Sequence, residues 1–178
     1  MSRQRAMKKT ERDPKAINRI GGAPIGIGKD NWPTIRNPNT DEMQPMIHVL
    51  TVETADLDIE ISDDVAALAL FVSSAEMPFY FSDPTADYEV VQLSQKDIER
   101  GELEGPELPE SPLEATGLEI LEKSPSSASF AGGKPRCIQS EGQQKGFVLQ
   151  FDSQFIYLNL GDGGRLYMYD DWAFWDCY

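Results

Sequence analysis

Short runs of apolar and β-branched residues, separated by turn-forming residues, are the main pattern along this chain. Such runs occupy 46–52, 65–72 and 88–93 in the first part of the chain, and 147–152 and 165–169 near its end. Runs of this length and composition are typical of strands, and the Ala-rich run at 65–72 still favours strand over helix because of its Val and Phe residues. Fourteen glycines and twelve prolines leave little room for long helices. The pattern therefore predicts an α+β fold that is mainly antiparallel β.

A further strand is predicted at 77–81. The residues that follow it, 82–84, read Ser-Asp-Pro and favour a turn. The strands at 77–81 and 88–93 would then form a hairpin.

Charge and turn residues divide the chain into segments that share one domain. Residues 1–19 carry seven basic side chains against two acidic ones and show no apolar period. The sequence therefore predicts a basic flexible arm at 1–18, a first β-rich half at 19–95, and a second β-rich half at 130–178. Between the halves, 96–129 is rich in Glu, Pro and Ser, and is predicted to be an exposed acidic connector.

The two halves contain similar parts in the same order. Each begins with a Gly-Gly-x-Pro segment, and the distance between matched leucines is 18 positions from Leu50 to Leu68 and 17 from Leu149 to Leu166. The spacing indicates two pseudo-repeated halves that bury one shared core, because each half has one apolar sheet face and cannot bury it alone. Chance similarity between short apolar strands is the alternative.

Net charge limits the kinds of partner. The chain has 16 basic and 30 acidic residues and a net charge of -14, and beyond residue 19 the balance is 9 basic to 28 acidic, or -19. Nucleic acid and anionic lipid would be repelled by such a body, whereas a cationic protein would be attracted and would associate faster. Solubility alone is the competing explanation for the same charge.

Neither a catalytic nor a metal site is recognisable in the sequence. His48 is the single histidine and stands inside a predicted strand, while Cys137 and Cys177 lack the spacing of a metal or redox motif. The acidic pairs at 63–64 and 170–171 favour solvated turns over calcium binding or glycoside hydrolysis. We therefore expect a non-enzyme without cofactor or metal.

The apolar content of the N-terminal segment and of the longest apolar runs bears on where in the cell the protein is found. No apolar segment follows the basic N-terminus, and no run approaches the roughly 20 apolar residues of a membrane span. The expected location is the cytoplasm.

Aromatic residues crowd the end of the sequence. Trp172, Phe174, Trp175 and Tyr178 either cap the core, which we favour, or anchor an interface.

Several motifs carry a family resemblance over residues 19–178. They are Ile-Gly-Gly-Ala-Pro at 20–24, Trp-Pro at 32–33, Gly-Gly-Lys-Pro at 132–135, Leu-Gln-Phe-Asp at 149–152 and Gly-Asp-Gly-Gly-Arg-Leu-Tyr at 161–167. Together they resemble the YwqG-like family of bacterial proteins, which is related in fold to suppressor-of-fused domains. The resemblance implies an α+β, mainly antiparallel fold with two pseudo-repeated parts and no established catalytic residues. It also implies an association with immunity partners of polymorphic bacterial toxins.

These observations lead to a functional prediction. We expect an immunity protein that binds and neutralises a cognate, basic toxin through an acidic surface, with no role for nucleic acid or membrane. The candidate contacts are acidic residues of two segments: Asp56, Asp58, Glu60, Asp63 and Asp64 first, and Glu99, Glu102, Glu104 and Glu107 second. The alternative is an intracellular scaffold or regulatory module similar to suppressor-of-fused, which would bind a peptide along a sheet edge. An enzyme with an unfamiliar site is a third possibility.

Overall fold

A computed structural model describes residues 3–76, 79–80, 83, 85–108, 113–139 and 141–178. This part of the chain is built mostly of strands, with one short helix and two 3₁₀ turns, at Lys29–Asn31 and Thr54–Asp56. The strands and the helix are β1 (Arg5–Thr10), β2 (Arg19–Ile20), β3 (Thr34–Arg36), β4 (Met43–Pro45), β5 (Ile47–Glu53), β6 (Ala67–Val72), β7 (Tyr88–Leu93), α1 (Gln95–Glu99), β8 (Thr116–Leu121), β9 (Phe130–Ala131), β10 (Phe147–Asp152), β11 (Arg165–Tyr169) and β12 (Ala173–Asp176).

Ten of these strands form one antiparallel sheet in the order β12-β11-β10-β9-β1-β8-β2-β5-β6-β7. The remaining two, β3 and β4, form a separate hairpin. The large sheet nearly closes on itself, because Gln92 of edge strand β7 donates a hydrogen bond of 3.0 Å to the Asp170 carbonyl beside edge strand β12. The predicted mainly antiparallel fold is confirmed.

Alternation along the strands separates the core into layers. In β6, Leu68, Leu70 and Val72 face the main cluster, to which strands from both ends of the sheet contribute. The intervening Ala69 and Phe71 face the other side, where Trp32, Met46 and Ile27 cover them. A third, aromatic cluster covers the outer face around β10 and β11. Both faces of these strands are therefore buried, which explains their continuous apolar runs.

The predicted flexible arm is wrong for residues 5–10. These residues form β1 in the middle of the sheet, paired with β8 from Ala6↔Leu121 to Thr10↔Gly117 and with β9 through Arg5 and Ala6. Met7 joins the main cluster, while Lys8 is exposed. The polar side chains of β1 do not form a strand pattern, and its backbone partners lie more than 100 residues away in the sequence. Neither feature could be recognised from the local sequence.

The acidic connector is also only partly a surface linker. Its residues 116–121 form β8, which lies between β1 and β2 and buries Leu118 in the main cluster.

The predicted strand at 77–81 falls largely outside the described residues. Strand β7 pairs with β6, from Ala67↔Leu93 to Val72↔Tyr88. Among the described residues, no helix combines the length and apolar character needed to span a bilayer.

Candidate functional site

An acidic groove with a volume of about 540 Å³ lies between the segment leading into β6 and the segment leading into β10. Its lining brings together residues that are far apart in the sequence: Asp58, Ile59, Glu60, Gly133, Gln144, Lys145, Gly146, Phe147 and Asp170. Three carboxylates therefore share the groove with one lysine.

Alternation in the 57–61 segment explains why Asp58 and Glu60 are exposed beside the groove. Leu57, Ile59 and Ile61 are partly buried against the main cluster. In an extended segment, the intervening side chains point the opposite way, and both carboxylates are exposed. Because the apolar side chains of this segment pack against the core, the side chains of Asp58 and Glu60 point toward solvent.

Asp170 is held against the opposite wall of the groove. Its backbone N–H donates to the Gly146 carbonyl over 2.9 Å. Gly146 has φ +73°, and a Cβ at this position would overlap the Asp170 carboxylate. Sequence patterns gave Asp170 only a turn role, because this long-range contact leaves no local signature.

Only two of the five first-segment candidates line the groove. Asp56 instead accepts a short hydrogen bond from the Asn18 side chain, and its backbone carbonyl accepts from Arg5 Nη1 over 2.7 Å. Asp63 and Asp64 are exposed on the same loop, and Asp64 accepts a hydrogen bond from Ser62. Asp56 therefore fastens the loop to the sheet.

The connector candidates lie away from the groove lining. Glu99, Glu104 and Glu107 are exposed. Glu102 accepts from Arg12 Nη2 over 2.9 Å and lies 3.2 Å from Arg19 Nη1. Burial raises the pKa of Glu102, but the two arginines more than offset this and lower it below its ordinary value. Its carboxylate is thus engaged within the chain.

A second cavity, the aromatic pocket, has a volume of about 280 Å³ and adjoins the acidic groove. Its lining combines three aromatic side chains with one carboxylate: Thr85, Glu141, Gly142, Gln143, Tyr169, Trp172 and Phe174. The Trp172 ring lies 4.3 Å from that of Tyr169 and 5.3 Å from that of Phe174, centroid to centroid, with interplanar angles of 14° in both pairs.

The aromatic C-terminus has two environments. Trp175 is buried in the main cluster, as the core interpretation predicts. Trp172 keeps 37% of its surface exposed in the aromatic pocket. Gln144 and Asp170 line the groove, and their neighbours in the chain, Gln143 and Tyr169, line the pocket. The groove and the pocket therefore share a wall.

His48 is buried beneath the Gly21–Gly22 turn. Its Nδ1 lies 3.2 Å from the Gly22 carbonyl oxygen, and its Nε2 lies 2.9 Å from the Thr51 hydroxyl. Burial lowers the pKa of His48 to about 4. The neutral ring thus donates to the turn and accepts from Thr51, which is a structural role.

The part of the chain that the structure describes holds no group of three or more His, Cys, Asp or Glu residues arranged to bind a metal ion. What the groove and pocket offer instead is fixed negative charge beside exposed aromatic surface. Comparison with protein-family models found no match, and comparisons with curated proteins and with solved structures found none either.

Proposed function

We propose that this chain is an immunity protein, whose acidic groove binds a basic surface of a cognate bacterial toxin and blocks it. The observation that carries the proposal is the grouping of Asp58, Glu60 and Asp170 around one groove with only Lys145 to balance them. Carboxylates gathered in a concave site favour a cationic occupant.

The electrostatic attraction contributes to recognition mainly at short range. A cation about 4 Å from a carboxylate gains roughly 1 kcal/mol in water and roughly 4 kcal/mol near a protein surface. Salt at physiological strength screens beyond about 8 Å, so contacts inside the groove would persist while the surrounding charge mainly speeds association. Both effects suit a partner with a basic substrate cleft, such as a toxin that acts on nucleic acid or a nucleotide.

The resemblance to YwqG-like proteins supports the immunity role. The scaffold alternative gains less support, because binding a peptide at a sheet edge requires a free edge. Here the two edge strands of the large sheet, β7 and β12, contact each other, so each edge is partly covered.

Co-expression with the product of a neighbouring gene tests the proposal. We expect the chain to rescue growth of a bacterial host expressing that product and to bind it with an affinity that falls steeply with salt. The combined variant Asp58→Asn, Glu60→Gln, Asp170→Asn should weaken binding about 100-fold if each contact contributes near 1 kcal/mol.

The matched control removes the same charge elsewhere. Asp63→Asn, Glu99→Gln, Glu104→Gln neutralises three exposed carboxylates outside the groove lining. We expect it to change the association rate modestly and the dissociation rate little. Equal losses for the two triple variants would contradict a groove-specific site, and absence of binding by any neighbouring basic protein would contradict the immunity role.

We also infer that the two halves are a structural repeat. Gly21 N–H donates to the Val49 carbonyl over 2.8 Å, and Gly132 N–H donates to the Val148 carbonyl over 2.7 Å. Register irregularities follow at matched places, between residues 48 and 50 and between residues 147 and 149. These correspondences support the repeat. An experimental structure with unlike registers at the two places would contradict it.

A further inference from the structure

We propose that the aromatic pocket binds the guanidinium group of an arginine side chain on the basic partner. This inference rests on the proposed function and names the chemistry of one contact within it. The pocket presents an exposed indole ring, Trp172, and a carboxylate, Glu141, in one cavity. An arginine uses both, since its flat group stacks on an aromatic face while its N–H groups pair with a carboxylate.

The indole ring is held in place before any partner arrives. Trp172 lies in the turn between β11 and β12, and its carbonyl accepts from the Tyr169 N–H over 2.8 Å. The near-parallel rings of Tyr169 and Phe174 pack against it. Tyr169 is itself fixed, because its hydroxyl donates to the Gln143 carbonyl over 3.1 Å. A preorganised ring loses little side-chain entropy on binding.

Charge selects the occupant of the pocket. Glu141 is exposed at the pocket, and the shared wall leads directly to Asp170 in the acidic groove. A neutral aromatic or aliphatic side chain would fill the apolar part but leave the carboxylate without a partner. A lysine would satisfy the charge but lacks the planar group that matches the ring. Arginine satisfies both requirements.

Titration with a small probe tests the pocket directly. N-acetyl-arginine methylamide is added to the ¹⁵N-labelled chain while the indole N–H resonances are followed by NMR. We expect the Trp172 resonance to shift saturably, while the buried Trp32 and Trp175 resonances stay in place as internal controls. The neutral analogue N-acetyl-citrulline methylamide should bind several-fold more weakly.

Two variants separate the aromatic and the charged contributions. Glu141→Gln should weaken arginine binding about 3- to 10-fold and leave citrulline binding unchanged. Trp172→Phe keeps an apolar ring in the turn and should also weaken arginine binding, because indole is the better cation–π surface. Equal binding of arginine and citrulline, or no effect of Glu141→Gln, would overturn the inference.

The same variants distinguish failure of this inference from failure of the proposed function. With a toxin partner in hand, Trp172→Phe and Glu141→Gln should both increase its dissociation rate. If the groove variants weaken that complex and the pocket variants do not, the arginine site is wrong and the immunity role stands. If neither set has an effect, the partner binds elsewhere, and both the arginine site and the acidic groove as the binding site of the proposed function are wrong.

Discussion

The Nη1 atom of Arg19, at the start of β2, lies 3.2 Å from Oε2 of Glu102 in the connector. Only 3% of the Arg19 side chain is exposed. Its other N–H groups donate to the backbone carbonyls of Pro14, Ala16 and Ala23. Burial lowers the pKa of Arg19 even though Glu102 opposes the shift. A nearly buried cation thus fastens the connector to the sheet.

Glu102→Gln should destabilise the fold by about 1–2 kcal/mol. The substitution removes the charged partner of a buried guanidinium, whose remaining contacts are neutral carbonyls. The carboxylate itself is 38% exposed, so water replaces part of the lost interaction and keeps the effect below that of a fully buried pair. Urea unfolding followed by circular dichroism measures the change.

Arg12→Gln is the control for this pair. It removes the more exposed partner of the same carboxylate and should lower the free energy of unfolding by less than about 1 kcal/mol. If Glu102→Gln is as stable as the parent, the carboxylate is available to a partner, as predicted when Glu102 was named a candidate contact.

The strands that could be predicted from the sequence are those buried on both faces. Strands β5, β6, β10 and β11 are mostly apolar and almost wholly buried, because both faces of the sheet are covered there. Strand β1 has no such pattern, since only Ala6 and Met7 are buried and the rest is stabilised by distant backbone pairing. A local sequence pattern indicates whether the side chains of a strand are buried, but it does not indicate which other strand the backbone pairs with.

In the candidate site, too, local patterns predicted some residues, whereas residues placed by long-range contacts could not be predicted. Asp58 and Glu60 were predictable, because acidic residues alternate with apolar ones in their segment. Asp170 was not predictable as a groove residue, since its position depends on a backbone contact with Gly146. The pairing of Glu102 with Arg19 likewise depends on how the connector returns to β2.

Gly21→Ala should destabilise the fold by more than about 2 kcal/mol. Gly21 has φ +60°, a conformation that costs other L-residues roughly 1–2 kcal/mol. An added Cβ would also overlap the Leu113 carbonyl oxygen and lie 2.7 Å from that of Glu114. Thermal unfolding measures the combined loss.

Gly101→Ala separates the two contributions to that loss. Gly101 has φ +72°, but a Cβ there meets nothing within 4 Å. We expect only the conformational part, about 1 kcal/mol. Equal losses at Gly21 and Gly101 would show that the close approach to the 113–114 backbone is unimportant.

Lys8→Pro should unfold or severely destabilise the chain, whereas Lys8→Ala should change its stability by less than about 0.5 kcal/mol. Lys8 is exposed, so its side chain contributes little. Its backbone, however, lies opposite Glu119 in the pairing of β1 with β8, and proline removes a donor and restricts φ in a central strand. Hydrogen exchange and circular dichroism compare the two variants. A folded Lys8→Pro protein would restore the flexible-arm interpretation.

Acidification should weaken the fold through His48. Its pKa is about 4 when folded and about 6.5 in an unfolded chain, so between these values the unfolded state binds more protons. Stability is therefore full above pH 6.5 and falls as the pH drops toward 4, by at most about 3.5 kcal/mol at roughly 1.4 kcal/mol for each pKa unit. Urea midpoints from pH 7.5 to 5 measure the slope above the range where most carboxylates titrate. His48→Gln removes the titrating ring but keeps a side-chain N–H donor, and it should flatten the slope. An unchanged slope would assign the pH dependence to other groups.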